Sequence, residues 1–192
     1  SVNSKDKKLA NLLLEEEKKI NLICIPHKVS CIIIRPTMIY GRVSNKVDGN
    51  IFKIFQLTKF MPFIFLPKKT GFRQPIHAHQ LVNVILFFIK KLDYEKNVNC
   101  TSTVLEVGGD ETLTYKELIS RISPHMNHLG FIKKTILISI PDSLFYLLFS
   151  PLFLIKISLF ESVFRIGADL SGFKTSSSIT GKKPVKFPFL RY

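Results

Sequence analysis

Between Cys31 and Gly41 the chain reads Cys-Ile-Ile-Ile-Arg-Pro-Thr-Met-Ile-Tyr-Gly, and no other stretch limits the choice of fold as tightly. Val29 to Ile34 is rich in β-branched apolar residues without sustained polar alternation. That is the pattern of a strand covered on both faces, as in a parallel sheet flanked by helices. Pro36 cannot donate to a ladder and holds Arg35 out of the helical region, so the strand is expected to stop there and hand the chain to a loop. In open parallel sheets ligands sit outside the carboxyl ends of the strands, which makes Arg35 to Gly41 the first place to look for a site.

The rest of the chain supplies the other layers of such a fold. Asp6 to Ile20 reads as a helix of strong formers, with Leu9, Leu12, Leu13 and Ile20 among Glu and Lys, and Ser4 as its N-cap. Arg42 to Asn50 is turn-rich, and Ile51 to Phe60 repeats apolar residues at short-helix spacing. Met61 to Pro67 is a hydrophobic stretch containing two prolines, and Lys68 to Gly71 is a turn. Gln80 to Leu92 places Leu81, Val84, Ile85, Phe88 and Ile89 on one helical side. Thr103 to Val107 is a buried strand closed by Gly108-Gly109, and Thr114-Tyr-Lys-Glu117 is a capping box that opens a helix running to about Ile122 or beyond. Thr135 to Ile140 is one more strand.

Ser143 to Phe160 is the most hydrophobic segment, yet Pro151 and Lys156 interrupt it. A membrane span needs about 20 predominantly apolar residues, so a buried or interface-packed helix is expected instead. Contact with an anionic membrane surface is the alternative, because Lys133, Lys134, Lys156 and Arg165 lie in or around the stretch. Residues 167–192, rich in Gly, Ser, Thr and Lys, read as an irregular tail, with Lys186-Phe-Pro-Phe-Leu190 as the segment that docks back on the fold.

Composition removes several classes of function. Lys and Arg outnumber Asp and Glu 28 to 14, but the lysines are scattered and only six of the 28 are Arg, so no nucleic-acid module is indicated. Cys24, Cys31 and Cys100 are odd in number and widely spaced, which suggests neither a disulfide framework nor a zinc site and fits a reducing cytoplasm. His77 and His79 lack a third ligand nearby, so no metal is expected.

Three segments together resemble the NAD-dependent epimerase/dehydratase family, the extended short-chain dehydrogenases/reductases. Arg35-Pro-Thr-Met-Ile-Tyr-Gly41 is similar to the family's segment after its sixth strand. Thr70-Gly-Phe-Arg-Gln-Pro-Ile-His77 is similar to its Arg-x-x-hydrophobic-His segment ahead of a helix. Val104 to Leu118 is similar to its last sheet strand, Gly-Gly turn and following helix. The resemblance covers about Lys8 to Leu118, in the family's order.

What the resemblance implies is an α/β fold: a partial Rossmann-type parallel sheet with the carboxyl-terminal substrate-binding subdomain. Residues 1–192 would then be the carboxyl-terminal portion of a longer protein whose amino-terminal half binds NAD or NADP, inactive by itself. The implied reaction is hydride chemistry on a nucleotide sugar by an epimerase or dehydratase. Lys8 falls on the family's catalytic Lys. Arg35, Pro36, Thr37, Tyr40 and Gly41 fall on the cofactor side, and Asn50, Arg73 and His77 on the substrate nucleotide side. The plain alternatives stand beside these: Lys8 as a solvated helix lysine, Asn50 as a cap, Arg73 as a surface charge.

The sequence also departs from the family. Ser4 occupies the position of the catalytic Tyr, Met38 that of a polar Asn common in sugar-nucleotide members, and no Gly-x-x-Gly-x-x-Gly run exists. These departures support an alternative, a non-catalytic dinucleotide-binding member with a structural or regulatory role, membrane-associated in one version. A nucleotide-sugar substrate is the expected partner, with a homodimer and peripheral membrane contact as further candidates.

Overall fold

The computed structural model describes residues 4–43, 46–47, 54, 61–94, 102–127, 135–155 and 163–188. In chain order its elements are α1 (Ser4–Cys24), β1 (Cys31–Pro36), β2 (Ile39–Tyr40), β3 (Arg42–Val43), β4 (Lys46–Val47), β5 (Phe63–Pro67), β6 (Phe72–Arg73), β7 (Ile76–His77) and α2 (Ala78–Tyr94). They continue with β8 (Ser102–Gly108), β9 (Leu113–Thr114), α3 (Tyr115–Asn127), β10 (Ile136–Ile140), α4 (Asp142–Phe149), α5 (Leu152–Ile155), β11 (Lys174–Thr175) and α6 (Ser176–Thr180). The class is α/β with parallel pairing, as expected.

The sheet that positions the site has the order β1-β8-β11 and is parallel throughout. Cys31 to Pro36 run beside Ser102 to Val107 residue for residue, and Lys174 and Thr175 run beside Val107 and Gly108 on the other side of β8. Pro36 is the last residue of β1, where its missing donor costs the ladder nothing further. β1 is half-buried and lies at the edge of this sheet among the described residues, so the expectation of a strand covered on both faces is not met there. A second parallel pair, β5 with β10, joins Phe63–Pro67 to Ile136–Ile140. Sequence patterning shows β10, whereas the prolines hide β5.

Helix α1 touches the sheet by a narrow stripe. Glu17, Asn21 and Cys24, at helical i, i+4, i+7 spacing, are its partly buried positions, while Leu9, Leu12, Leu13 and Ile20 are exposed. Arg35 at the end of β1 donates through Nε to Glu17 at 2.9 Å, and Ser102 at the start of β8 donates to Asn21. The helix therefore runs antiparallel to β1.

Two apolar clusters hold the rest. Ile76, Val84, Leu105 and Val107 join α2 to the sheet, with Ile34 and Ile179 packed against them. Tyr40, Ile54, Ile64, Leu66, Leu113, Leu118, Ile119, Ile122 and Phe187 form the other. The capping box is present: Glu117 N–H donates to Thr114 Oγ1 at 3.1 Å, and Thr114 N–H donates back to Glu117 Oε2 at 2.8 Å.

The expectation of an irregular tail over 167–192 is corrected. Lys174–Thr175 form β11 and Ser176–Thr180 form α6 with Thr175 as N-cap, whereas Phe187, in the segment expected to dock back, is indeed buried in the larger cluster. This order is tertiary in origin, because Asp110 and Glu111 bond the segment from outside it.

The helix expected in Ser143 to Phe160 is present as α4 and α5 up to Ile155, divided at Ser150-Pro151, where Pro151 has no amide to continue the ladder. Of its side chains Phe145 is buried while Leu144, Leu147, Leu148 and Leu154 are exposed, and 156–160 lie outside the described residues. No helix among the described residues is long and apolar enough to cross a membrane.

Candidate functional site

The loops that leave the carboxyl ends of parallel β1, β8 and β11 meet at one end of the sheet. Thr37 follows β1 and is tied down twice: its N–H donates to Val107 O at 2.9 Å, and its Oγ1 donates to Gln74 O. Ile76 N–H then donates to Met38 O at 3.0 Å, and β2 runs parallel to β7 with Ile39 beside Ile76 and Tyr40 beside His77. A segment after β1 and a segment ahead of α2, far apart in sequence, thus lie side by side.

Tyr40 is buried with its ring edge-on to His77 at 5.1 Å and to Phe187 at 4.9 Å. Gly41 has φ +121°, and a Cβ added there would lie 2.6 Å from His77 Nε2. Only glycine satisfies both demands, the positive φ and the close approach.

His77 Nδ1 accepts from His79 N–H at 3.1 Å, which leaves the proton of the neutral ring on Nε2, the nitrogen beside Gly41. Burial, and secondarily the neighbouring His79, holds the imidazole below its ordinary titration range. The site therefore offers a neutral imidazole at neutral pH.

Two buried amides brace these loops, and sequence reasoning missed the first, Gln74. Gln74 is 3% exposed. Its Nε2 donates to Gly109 O at 2.9 Å and to Phe173 O at 3.0 Å, and its Oε1 accepts from Phe173 N–H at 3.1 Å. Gln80 accepts from His77 N–H and donates to Asp110, whose carboxylate also takes the Ser176 hydroxyl and the amides of Ser177 and Val185. The one sequence signal was an Asp-Glu pair directly after a Gly-Gly turn, in a chain of net charge +14.

The structure brings Pro36, Thr37, Tyr40, Gly41 and His77 together, and sends two other expected site residues elsewhere. Arg35 turns toward α1, pairing with Glu17 and, at 3.5 Å, with Glu106. Arg73 is 5% exposed, with its guanidinium turned inward. It donates to Phe72 O at 2.8 Å and to the carbonyls of Ala168 and Arg165. Its charged carbon sits 5.4 Å from the Tyr115 ring centre, and burial pulls its pKa down against the opposing influence of Tyr115 and Asp169. To clamp a diphosphate, Arg73 would have to surrender these carbonyls.

Lys8 is exposed on α1. Nine residues upstream of Glu17, it lies roughly 13 Å farther along the helix, in the direction that leads past the carboxyl end of β1. Asn50 is outside the described residues. Among the described residues no group of three or more His, Cys, Asp or Glu could hold a metal ion.

No protein-family model matches the chain, and no curated protein does. Solved structures do match in part. A UDP-galactose 4-epimerase is 13% identical over 86% of this chain and 45% of its own, with a TM-score of 0.48. The UDP-N-acetylglucosamine 4-epimerase from Bacillus cereus is 16% identical over 65% and 39%, at 0.46. The UDP-glucuronic acid 4-epimerase from Bacillus cereus, in complex with UDP-glucuronic acid and NAD, is 13% identical over 82% and 41%, at 0.46. The chain spans about two fifths of the length of these structures.

Proposed function

We propose that the chain forms the substrate-side part of an NAD(P)-dependent nucleotide-sugar epimerase or dehydratase of Rossmann type. The observation that carries this reading is the meeting of the Arg35–Gly41 loop with His77 at the carboxyl end of a parallel sheet, where open α/β sheets bind their ligands. The two segments that resemble the family's loops become spatial neighbours, although nothing in their sequence spacing requires it.

Under this reading Pro36, Thr37, Tyr40 and Gly41 line the nicotinamide ribose through backbone shape. Thr37 spends both its N–H and its hydroxyl on Val107 and Gln74, so its polar atoms serve the loop. His77 and Asn50 belong to the substrate side, and Lys8 to the edge from which the catalytic helix reaches in. Arg35 and Arg73 act as struts, the first holding α1 and the second the 165–168 turn. The cofactor when bound would accept and return a hydride. Its pyrophosphate has no seat in this sequence, which lacks a Gly-x-x-Gly-x-x-Gly run, so no step through it is derived.

A second reading, a dinucleotide binder without catalysis, has its own observation: Ser4 stands where the family has Tyr, and an alcohol cannot supply a phenol's titration. The test is to express the chain with the coding sequence that precedes it and titrate NAD and a UDP-sugar into wild type and Gly41→Ala. Binding of both ligands, weakened about tenfold or more in the variant, supports the enzyme reading. NAD binding alone supports the second. Absence of both, or a folded Gly41→Ala protein that binds like wild type, removes the site.

A further inference from the structure

Cys24 and Cys31 have no part in the site above. Cys24 closes α1 and Cys31 opens β1, and the connection between them is a tight reversal. Lys28 N–H donates to Ile25 O at 3.1 Å, Val29 N–H returns to Cys24 O at 3.0 Å, and Lys28 itself takes a left-handed φ of 53°. The reversal lays the last turn of α1 over the start of the sheet, where Asn21 accepts from Ser102, the register partner of Cys31. Cys24 continues the stripe of α1 that faces β1, after Glu17 and Asn21. As a result the two partly buried, free thiols lie at the same corner of the fold, where the end of α1 meets the start of β1. Three cysteines that look unrelated along the sequence contain one pair that the α1–β1 reversal brings to the same corner.

We propose that Cys24 and Cys31 form an oxidisable dithiol, a modification site that reacts with a peroxide or a small-molecule disulfide and closes an intramolecular Cys24–Cys31 bond. With a peroxide, one thiolate sulfur attacks an oxygen, the O–O bond breaks, and a sulfenic acid and one water result; the second thiol then attacks that sulfur and expels the other water. Two S–H bonds are lost, one S–S bond forms, and hydrogen peroxide is reduced to two waters. With oxidised glutathione, the first thiolate makes a mixed disulfide and releases one glutathione thiol, and the second releases the other.

The tight reversal makes the closing step local, since Cys24 lies on the face of α1 that meets the start of β1, where Cys31 sits. Burial, and then the neighbouring thiol, raises the Cys31 pKa, so the first attack quickens as pH rises above neutrality. In a reducing compartment such a bond is transient, the behaviour of a sensor and not of a structural staple. When formed, it fixes the end of α1 to the start of β1, leaving Arg35–Glu17 as the second attachment at the far end of the same stripe.

The test uses the reduced 192-residue chain, treated at about pH 8 with one equivalent of hydrogen peroxide or with oxidised glutathione, then alkylated and digested with trypsin. Lys28 lies between the two cysteines, so cleavage there yields two peptides that stay joined only through a disulfide. The expected product is a monomer lighter by two hydrogens, with Ile20–Lys28 linked to the peptide beginning at Val29 and with Cys100 alkylated. Cys24→Ser and Cys31→Ser should each abolish that loss, and with glutathione disulfide leave a stable mixed disulfide on the remaining thiol. Full alkylation of both cysteines after oxidation, a bond that uses Cys100, or an unchanged mass loss in Cys31→Ser would overturn the proposal.

Discussion

Replacing Gln74 by Leu asks whether one buried amide joins the three loops at the end of the sheet. Gln74 makes three hydrogen bonds through its side chain, two donated by Nε2 to Gly109 O and Phe173 O and one accepted from Phe173 N–H. Each is worth about 1 kcal/mol net, and all three backbone partners lose their mate in the variant, so the expected destabilisation is about 3 kcal/mol. With a urea slope of about 2 kcal/mol per molar, the midpoint should fall by about 1.5 M. The loss should also be local at first: amides of Phe173 to Thr180 should exchange faster in the variant well before those of β1 and β8. Gln74→Glu should be worse than Leu, because it sets a carboxylate oxygen against the Gly109 and Phe173 carbonyls. A midpoint shift below about 0.3 M with unchanged exchange in 173–180 would refute the reasoning.

Arg73→Lys should destabilise the chain on the order of 1.5 to 3 kcal/mol and raise exchange in 165–170, since one ammonium cannot span three carbonyls. Unchanged urea stability would return Arg73 to the ligand side. Glu17 titrates below its ordinary 4.5, first because of its hydrogen bond from Arg35 and then through that residue's charge against the opposing effect of burial. Its contribution is therefore complete above about pH 4.5 and lost as pH falls below it, so the last turns of α1 should loosen in acid; in Arg35→Gln the same amides should show no such pH step. His77, held below its ordinary 6.5 by burial, behaves with the sign that follows from a buried neutral base. The unfolded state binds its proton first, so stability should decline as pH falls from about 6.5, and the slope should flatten in His77→Gln; an identical slope in the variant would assign the effect to another group.

What the sequence reveals is what short-range chemistry decides. Thr114 and Glu117 are three residues apart, and their mutual hydrogen bonds need nothing from the rest of the chain, so the start of α3 is legible. β8 is legible because its apolar run ends at Gly108-Gly109, and Gly109 cannot carry a Cβ, which would sit 1.8 Å from Pro75 O. β5 is not, because Pro62 and Pro67 read as breakers, yet they bracket the strand without entering its middle. The 174–188 segment fails for a different reason. Its Gly, Ser and Lys content has no periodicity, and its order comes from the carboxylates of Asp110 and Glu111, more than 60 residues away. The site divides the same way: the Arg35–Gly41 loop is visible in the sequence, and the inward turn of Arg73 is visible only once the 165–168 carbonyls are in place.

Phe187 lies in the same apolar cluster as Tyr40, and its N–H is held by Glu111, 76 positions earlier in the chain. During synthesis, every nascent chain shorter than that residue carries the Tyr40 ring and its neighbours with one wall absent. Such a core closes late, and until then it depends on whatever shields exposed aromatic surface in the cell. Released chains ending just before and just after Phe187 should therefore differ sharply in protease resistance near Tyr40, although the two differ by only a handful of residues.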